Sequence, residues 1–285
     1  MVEHQQWGVE ALWQELEPLL PGISIEVLAR VDSTNNALLE RVRSDGRHPG
    51  ERSAYGRRAN DLQPCLLVAE HQTHGRGRMG RTWHSSSSSS LTFSLALPMA
   101  MADWSGLSLA VGVAIADALD PAGPQAPRLQ LKWPNDIWLD GGKLGGILIE
   151  TVAAGSQRIA VIGIGLNISQ PAAPANEAAF QTGYASMDEL APGISAPQVL
   201  ARIARPLIET LLAFPQRGYA AWQPAFERRD LLKDQSVTAG AVEGVARGTN
   251  AQGELLIETS TGLQTVGGGE VSVRLSPDAG IGSAR

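Results

Sequence analysis

Four strand-like runs follow one another between residues 129 and 168 and are joined only by short turns. The runs are LQLKW, DIWLD, LGGILIETV and RIAVIGIGLNI, and the turns are PN, GGK and AAGSQ. Turns of this length favour hairpin connections, in which each strand pairs antiparallel with the next one along the chain. The region therefore predicts four consecutive antiparallel strands, and any fold for this chain has to contain them.

Strand and helix patterns alternate before this region. Apolar residues alternate in 23–29, and 32–42 opens with the helix-capping residues DSTN before an apolar helical face. The segments CLLVAE and LTFSLAL are typical of strands, and residues 105–119 have the spacing of a helix whose small residues suit packing on a sheet. Residues 44–63, which are polar and rich in arginine and glycine, are predicted to form an exposed loop.

The later part of the chain changes in character at Asp230. Helical patterns occupy 197–214, where Pro206 is expected to kink or split the helix, and the segment GYAAWQPAFERR. After Asp230, short strand-like pieces separated by turn signals indicate a small barrel-like domain. We predict an N-terminal extension over 1–22, a main domain over 23–230, a small domain over 231–275 and a disordered tail over 276–285.

The charge balance and the cysteine count exclude several classes of protein. The chain of 285 residues has 23 lysines and arginines against 29 acidic residues, a net charge of -6, which argues against a general nucleic-acid-binding protein. No segment approaches ~18 uninterrupted apolar residues and the N-terminus lacks a signal-peptide pattern, so we expect a cytoplasmic protein with no membrane span. The single cysteine, Cys65, excludes an internal disulfide and a cysteine-rich zinc site, and its apolar neighbours favour buried packing.

The segment GRGRMGRTW, residues 75–83, matches the dinucleotide-binding pattern G-x-G-x-x-G but lacks its context. A serine run, Ser85 to Ser90, follows in place of a helix, and no strand ending in an acidic residue lies roughly 20 positions on. A flexible backbone carrying several arginines instead suits an anionic ligand over which the loop closes, because guanidinium pairs with phosphate or carboxylate. A solvated basic loop is the alternative.

Two polar segments lie at turns of the predicted four-strand region. In KWPNDIW, Trp133 and the proline fit a structural bend, whereas Asn135 and Asp136 lie at a strand entry where they could hold Mg²⁺ or ribose hydroxyls. In GGKLGGILIE, Lys143 follows two glycines at a hairpin tip and precedes two strand glycines, which often mark close approach of a ligand or of another backbone. A solvated lysine in a turn is the alternative for Lys143.

Two further segments are ambiguous when taken alone. Asn167 of GIGLNI lies near the end of an apolar strand, where it could be a satisfied amide or a ligand contact. The segment DSTN by itself predicts only a helix cap. His71, His74 and His84 lie near one another in sequence, but no carboxylate or cysteine completes a recognisable metal-site spacing with them.

The order of these segments resembles the biotin protein ligases (biotin–[acetyl-CoA-carboxylase] ligases). DSTN, AEHQTHGRGRMGRTW, KWPNDIW, GGKLGGILIE and GIGLNI occur in that order, and the likeness covers about residues 24 to 275. The resemblance implies an α+β fold with a mixed, largely antiparallel sheet flanked by helices, followed by a small C-terminal SH3-like β-barrel. It also implies that the main domain joins biotin and ATP into biotinyl-5′-AMP and passes biotin to one lysine of a biotin carboxyl carrier protein.

The resemblance also assigns roles to individual residues. It implies that Arg76, Gly77 and Arg78 belong to a loop that orders over the adenylate, and that Lys143 contacts biotin and the reacting carboxylate or α-phosphate. We therefore expect Lys143 and Arg78 to be catalytic, with Mg²⁺ accompanying ATP. The residues expected to bind biotin or ATP are Ser33, Thr34, Asn35, Gln72, Arg76, Gly77, Arg78, Asn135, Asp136, Lys143 and Asn167.

Two departures from the family pattern limit what the resemblance implies. Ser85 to Ser90 and Thr92 stand where relatives usually have glycine and often tyrosine, and the 44–63 loop is longer than expected. Only about 22 residues precede the first predicted strand, so we expect the form without the N-terminal DNA-binding domain and no specific DNA binding. An exposed sheet edge makes a homodimer plausible. The rival hypotheses are a lipoate or octanoate protein ligase and a non-enzymatic biotin-binding regulator.

Overall fold

The computed structural model describes residues 5–45, 63–87, 89–121, 123, 125–170, 183–268 and 273–275. Most of the predicted 44–63 loop and all of the predicted tail lie outside this part of the chain. The helices are α1 Val9–Leu16, α2 Thr34–Asp45, α3 Leu107–Leu119, α4 Met187–Leu190, α5 Ala196–Arg217 and α6 Gln223–Glu227. The strands are β1 Ser24–Leu28, β2 Cys65–Ala69, β3 Gly75–Arg76, β4 Thr82–Trp83, β5 Ser90–Pro98, β6 Leu129–Lys132, β7 Asp136–Leu139, β8 Gly142–Ala154, β9 Gln157–Asn167, β10 Ser236–Ala239, β11 Val242–Thr249, β12 Leu255–Thr259, β13 Gly262–Val266 and β14 Val273–Leu275.

A seven-stranded sheet in the order β1-β2-β5-β9-β8-β7-β6 forms the main domain. The pair β1–β2 is parallel and every other neighbouring pair is antiparallel. The four consecutive runs that the sequence predicted are β6 to β9, and their antiparallel pairing is confirmed. The α+β fold with a mixed, largely antiparallel sheet is therefore confirmed as well.

Helices cover both faces of this sheet. On one face α2 places Leu38 and Leu39 against Leu67 and Val161, in a small cluster that also buries the Cys65 side chain. On the other face α1, α3 and α5 contribute to a larger apolar core. Within the described part of the chain, no helix is both long and apolar enough to cross a membrane.

Of the two outcomes expected at Pro206, the split does not occur, whereas a kink stays a prediction. Helix α5 continues through Pro206 from Ala196 to Arg217. Val199, Ile203 and Leu207 are all at most 1% exposed and lie on both sides of the proline in the same core. The burial of this continuous apolar stripe outweighs the single backbone hydrogen bond that proline removes.

The C-terminal strands form a second sheet in the order β13-β12-β11-β10-β14, with every neighbouring pair antiparallel. The predicted small SH3-like β domain is confirmed, and within the described residues its edge strands β13 and β14 do not pair, so the five-stranded sheet is not closed. The sheet packs on the main domain, because the indole N–H of Trp133 donates to the carbonyl of Gly253 at 2.9 Å and Val237 joins the larger core. The domain boundary at residues 230 and 231 stays a prediction.

Candidate active site

A cavity of about 630 Å³ lies on the α2 side of the sheet, where residues of the main domain and of the C-terminal domain meet. Every residue predicted to bind biotin or ATP lines it except Asn167. These residues span 111 positions, from Ser33 to Lys143, and the pairing of β5, β9 and β8 brings them to one place. The cavity has two chemically different ends, one near Leu148 and one near Lys143, both on β8. The two positions are five residues apart along the strand, which corresponds to roughly 15 Å.

The polar end is formed by Ser33, Thr34, Asn35 and Gln72, which are 2% to 8% exposed. Gln72 Oε1 accepts hydrogen bonds from the Thr34 backbone N–H at 2.7 Å and from the Thr34 hydroxyl at 3.1 Å. The segment DSTN therefore does more than cap α2, because its side chains face the residue that follows β2. The buried hydroxyl of Ser94 on β5 lies 2.7 Å from Thr34 Oγ1 and 2.6 Å from Asn35 Oδ1.

This polar cluster has fewer protons than contacts. Three oxygen pairs lie within hydrogen-bonding distance, namely Thr34 with Gln72, Thr34 with Ser94, and Ser94 with Asn35. The two hydroxyl groups supply only two protons, since the amide oxygens of Gln72 and Asn35 only accept. The cluster thus has spare acceptor capacity in a buried place, which suits a ligand that brings N–H donors.

Glycines leave room for the side chains that build this end. A Cβ atom on Gly163 would lie 2.3 Å from Asn35 Oδ1, and one on Gly165 would lie 2.5 Å from the Trp83 ring. The strand glycines singled out in the sequence differ from each other. Gly146 lines the cavity, whereas Gly145 faces the backbone of Gly165, where a Cβ would be 2.5 Å from the carbonyl oxygen.

The other end of the cavity is cationic. Six lysines and arginines line the cavity with one carboxylate, that of Asp136, although the whole chain has a net charge of -6. Such a concentration of positive charge around one lining carboxylate attracts anions, although Arg76 also pairs with Glu150 outside the lining. The cationic residues are Arg76, Arg78, Arg81, Lys132, Lys143 and Arg274.

Lys143 lies beside the hairpin turn as the second residue of β8, not at its tip. A bulge between β7 and β8 shifts the register here, and the Lys143 ammonium donates to Asp136 Oδ1 at 2.7 Å. The Asn167 side chain donates to the carbonyls of Lys143 and Ala185, both at 3.1 Å. Asn167 is therefore a satisfied amide that holds the backbone of Lys143, and the structure does not bring it to the cavity as a ligand contact.

Residues 75–83 form a short hairpin, here called the arginine hairpin, in which β3 pairs with β4 around a 3-10 turn at Arg78–Gly80. The N–H of Gly77 donates to the Arg81 carbonyl at 2.7 Å and closes the turn. The Arg78 guanidinium contacts Asn135 Oδ1 at 3.4 Å and donates to the Gly268 carbonyl of the C-terminal domain. Burial lowers the pKa of Arg78, partly offset by the nearby Asp136 carboxylate.

Asn135 and Asp136 offer a limited donor set for a metal ion. Asn135 Nδ2 donates to the Ile147 carbonyl at 2.7 Å, and its Oδ1 faces Arg78. Asp136 uses one oxygen for Lys143. No group of three or more histidine, cysteine or acidic residues could hold a metal within the described residues. This arrangement suits a cation that arrives with most of its ligands already in place.

The sequence prediction missed several residues of the cavity. Lys132 lies with its Nζ 4.9 Å from the centre of the Trp138 ring, and burial lowers its pKa. The indole N–H groups of Trp83 and Trp138 are buried and have no acceptor in the described structure, so both could donate to a ligand. Ser94 had a detectable signal, since it is a hydroxyl in the middle of the apolar run LTFSLAL.

The serine run has a structural role beside this site. The Ser85 hydroxyl lies 3.1 Å from the backbone nitrogen of Gln72 and 3.3 Å from its carbonyl oxygen, and it accepts from the first and donates to the second. Ser90 Oγ accepts from the backbone N–H of Ser86. The run thus holds the backbone of Gln72, a residue of the polar end.

Comparison with known proteins agrees with this geometry. Residues 57–167 match the Biotin/lipoate A/B protein ligase family, and residues 235–274 match the Biotin protein ligase C terminal domain. The bifunctional ligase/repressor BirA of Escherichia coli K12 is 32% identical over 262 residues, which cover 90% of this chain and 75% of that protein. The biotin–[acetyl-CoA-carboxylase] ligase of Mycobacterium tuberculosis is 31% identical over 254 residues, covering 87% of this chain and 88% of that protein.

A solved structure gives the same result for the fold. The biotin protein ligase from Aquifex aeolicus in complex with biotin and ATP superposes with a TM-score of 0.68 at 27% identity, covering 89% of this chain and 99% of that chain. Matches in sequence extend over both the main and the C-terminal domain. The chain belongs to the biotin protein ligase family.

Proposed function

We propose that this protein activates biotin with ATP to give biotinyl-5′-AMP and transfers the biotinyl group to a specific lysine of a biotin carboxyl carrier protein. The observation that carries the proposal is a single cavity whose one end has spare buried acceptors and whose other end has six cations around one carboxylate. A ureido ring supplies N–H donors, and ATP and the biotin carboxylate supply the anions. Relatives named as biotin ligases support the same assignment.

The first step joins two anions. An oxygen of the biotin carboxylate attacks the α-phosphorus of ATP, the new P–O bond forms, and the bond to pyrophosphate breaks. Lys143 and Arg78 are placed to lower the repulsion between carboxylate and phosphate, and they stabilise charge that moves onto the leaving pyrophosphate. Because the carboxylate itself is the nucleophile, no enzyme side chain needs to form a covalent bond.

The second step uses the mixed anhydride as an acyl donor. The amine of the carrier lysine attacks the carbonyl carbon of biotinyl-5′-AMP, an amide forms, and AMP leaves with its phosphate. The arginine hairpin covers the cationic end, and Arg78 ties it to the C-terminal domain through Gly268. A closed site of this kind retains an intermediate that water would otherwise hydrolyse.

A magnesium ion fits this site as part of the ATP substrate. Asp136 Oδ2 and Asn135 Oδ1 are the oxygens that could reach it, and Mg²⁺ usually keeps several waters and is held by one or two carboxylates plus phosphates. The ion would offset negative charge on the triphosphate. The remaining roles at this end belong to the lysines and arginines.

Two rival functions predict different ligands. A lipoate or octanoate ligase would hold an acyl chain without ureido N–H groups, which would leave the spare acceptor capacity of the polar end unused. A non-enzymatic biotin-binding regulator would have no need for the cationic end. We also propose a cytoplasmic location, a homodimer formed through a sheet edge, and no specific DNA partner.

The proposed function is tested by mass spectrometry of a biotin carboxyl carrier domain incubated with the protein, ATP and either biotin or lipoate. A mass increase on one lysine with biotin alone is expected. An increase with lipoate or octanoate instead would favour the first rival. Biotin binding without any modification, at enzyme concentrations equal to the carrier, would favour the second.

A further inference from the structure

Glu150 on β8 holds two side chains that belong to different parts of the site. Its Oε2 accepts a hydrogen bond from Asn35 Nδ2 at 2.9 Å, and its Oε1 accepts from Arg76 Nη2 at 3.3 Å. Asn35 is part of the polar end and Arg76 begins the arginine hairpin. Glu150 itself does not line the cavity, and its side chain is 24% exposed.

The contact with Glu150 fixes which way the Asn35 amide faces. Asn35 Nδ2 donates to Glu150 and to the Leu148 carbonyl at 3.3 Å, so both acceptors lie on the nitrogen side. The amide oxygen must then face Ser94, 2.6 Å away. Rotation of the amide by half a turn would place two acceptors against an oxygen, which is unfavourable. Glu150 thus keeps the Asn35 amide oxygen directed towards Ser94 at the polar end of the cavity.

The second contact fixes the start of the arginine hairpin. Arg76 donates through Nη1 to Asn36 Oδ1 at 2.5 Å and through Nη2 to Glu150. Arg76 is 43% exposed, so the ion pair by itself contributes little to stability. The ion pair matters because the Glu150 carboxylate connects the arginine hairpin to the Asn35 amide.

We propose that Glu150 is a positioning residue that couples occupation of the polar end to the order of the arginine hairpin. A ring N–H bound to the Asn35 oxygen restrains that amide, the amide restrains the Glu150 carboxylate, and the carboxylate then holds Arg76 in one position. Binding of the ring and ordering of the hairpin favour each other through this shared group, as linkage requires. This inference rests on the proposed function, since it takes biotin as the ligand.

Glu150→Gln separates the two contacts. A glutamine side chain has one acceptor oxygen, which can still receive the Asn35 N–H, while its NH₂ group cannot accept from Arg76. The variant should therefore keep the affinity for biotin and lose the coupling. Glu209→Gln is the matched control, because Glu209 forms a surface ion pair with Arg205 at 2.9 Å on α5, away from the cavity.

The experiment is hydrogen–deuterium exchange of residues 75–83 with and without saturating biotin, together with the dissociation constant for biotin and the melting temperature. In the parent and in Glu209→Gln, biotin should slow exchange in the hairpin by about tenfold or more. In Glu150→Gln the slowing should fall below about threefold while the biotin dissociation constant changes by less than about threefold. Equal protection of the hairpin in Glu150→Gln and the parent would overturn the inference.

Arg76→Ala removes the ion pair with Glu150 at its arginine partner, and it replaces Glu150→Gln in the experiment if that variant is poorly folded. It should also abolish the protection, and Glu150→Gln combined with Arg76→Ala should be no worse than either change alone. Fully additive effects would mean that the two residues act independently, which would also overturn the inference. Failure of the parent to bind biotin would contradict the proposed function as well. Normal biotinylation by the parent, together with equal hairpin protection in Glu150→Gln and the parent, would contradict this inference alone.

Discussion

The ammonium group of Lys143 lies 2.7 Å from Oδ1 of Asp136, inside the cationic end of the cavity. The pair is partly exposed on both sides, at 31% and 22%, so it remains accessible to a ligand. We propose that the carboxylate holds the lysine in position until the reacting anions arrive and the lysine contacts them.

Lys143→Ala should slow adenylation by well over tenfold, because a cation that acts on the transition state is lost. The fold should survive, since the side chain supports little of the core. Pyrophosphate release at saturating biotin and ATP measures the effect, with circular dichroism as the check on folding. A rate equal to that of the parent would mean that Lys143 is a solvated turn residue with no part in adenylation.

Arg78→Gly should allow the adenylate to form but release it faster. The change removes the contacts with Asn135 and Gly268 and a charge-assisted contact with the ligand, worth about 1.5–3 kcal/mol and hence roughly 10- to 100-fold in retention. The release rate of labelled biotinyl-5′-AMP is the measurement. Arg205→Ala, which removes an exposed arginine of α5, should release the adenylate at the parent rate.

Gly163→Ala should weaken biotin binding by about tenfold or more. The new methyl group would lie 2.3 Å from Asn35 Oδ1, so the amide must move away from Ser94 and from the ring. Gly123→Ala is a matched control, because its Cβ would meet nothing within 4 Å. Calorimetric titration with biotin compares the two variants, and equal affinities would mean that the position of Asn35 does not matter for binding.

Asp230→Asn should stabilise the protein more at neutral pH than at acidic pH. Burial raises the pKa of Asp230 to about 6, and its Oδ2 has no hydrogen-bond partner within the described residues. Between about pH 4 and pH 6 the folded state keeps a proton that the unfolded state has lost, so this group lowers stability as the pH rises through that interval. Above pH 6 the cost is fully present, at most about 3 kcal/mol.

Urea unfolding of the parent and Asp230→Asn at pH 4.5 and pH 7.5 tests this sign, with both pH values chosen around the interval above. The free energy of unfolding of the variant minus that of the parent should be larger at the higher pH. The asparagine can still accept the N–H of Leu232, which the aspartate accepts at 2.9 Å. A difference that does not change with pH would mean that the carboxyl titrates normally.

We expect no sequence-specific DNA binding, with or without biotin. The net charge of -6 gives no general attraction to phosphates. Mobility-shift assays against a genomic fragment pool would measure this. A specific shift at nanomolar protein that weakens with salt would contradict it.

The sequence predicted the strands of the main sheet because short turns leave few ways to pair them. It also predicted ten of the cavity residues through the family pattern, since those segments occur at fixed positions in the chain. The sequence could not predict that Ser94 and Gly163 are neighbours, because they come together only when β5 pairs with β9. Local rules left a split possible at Pro206, where tertiary burial keeps the helix continuous.

Contacts between the two domains were equally hidden. Arg274 reaches the cavity only because the C-terminal sheet docks on the main domain through contacts such as Trp133 with Gly253. No periodicity or motif in residues 231–275 specifies that docking. The same holds for Glu150, whose neighbours Asn35 and Arg76 lie more than seventy positions away in sequence.

One wall of the cavity comes from the C-terminal sheet, through Val273 and Arg274 of β14. A chimera that joined this main domain to the C-terminal domain of a distant relative would therefore exchange part of the active site together with the fold. We expect the two domains to coevolve, because a substitution on either side of the Trp133–Gly253 contact changes the shape of the active-site cavity. A chimera of two family members is therefore expected to be active only when the residues on both sides of the domain interface come from the same protein.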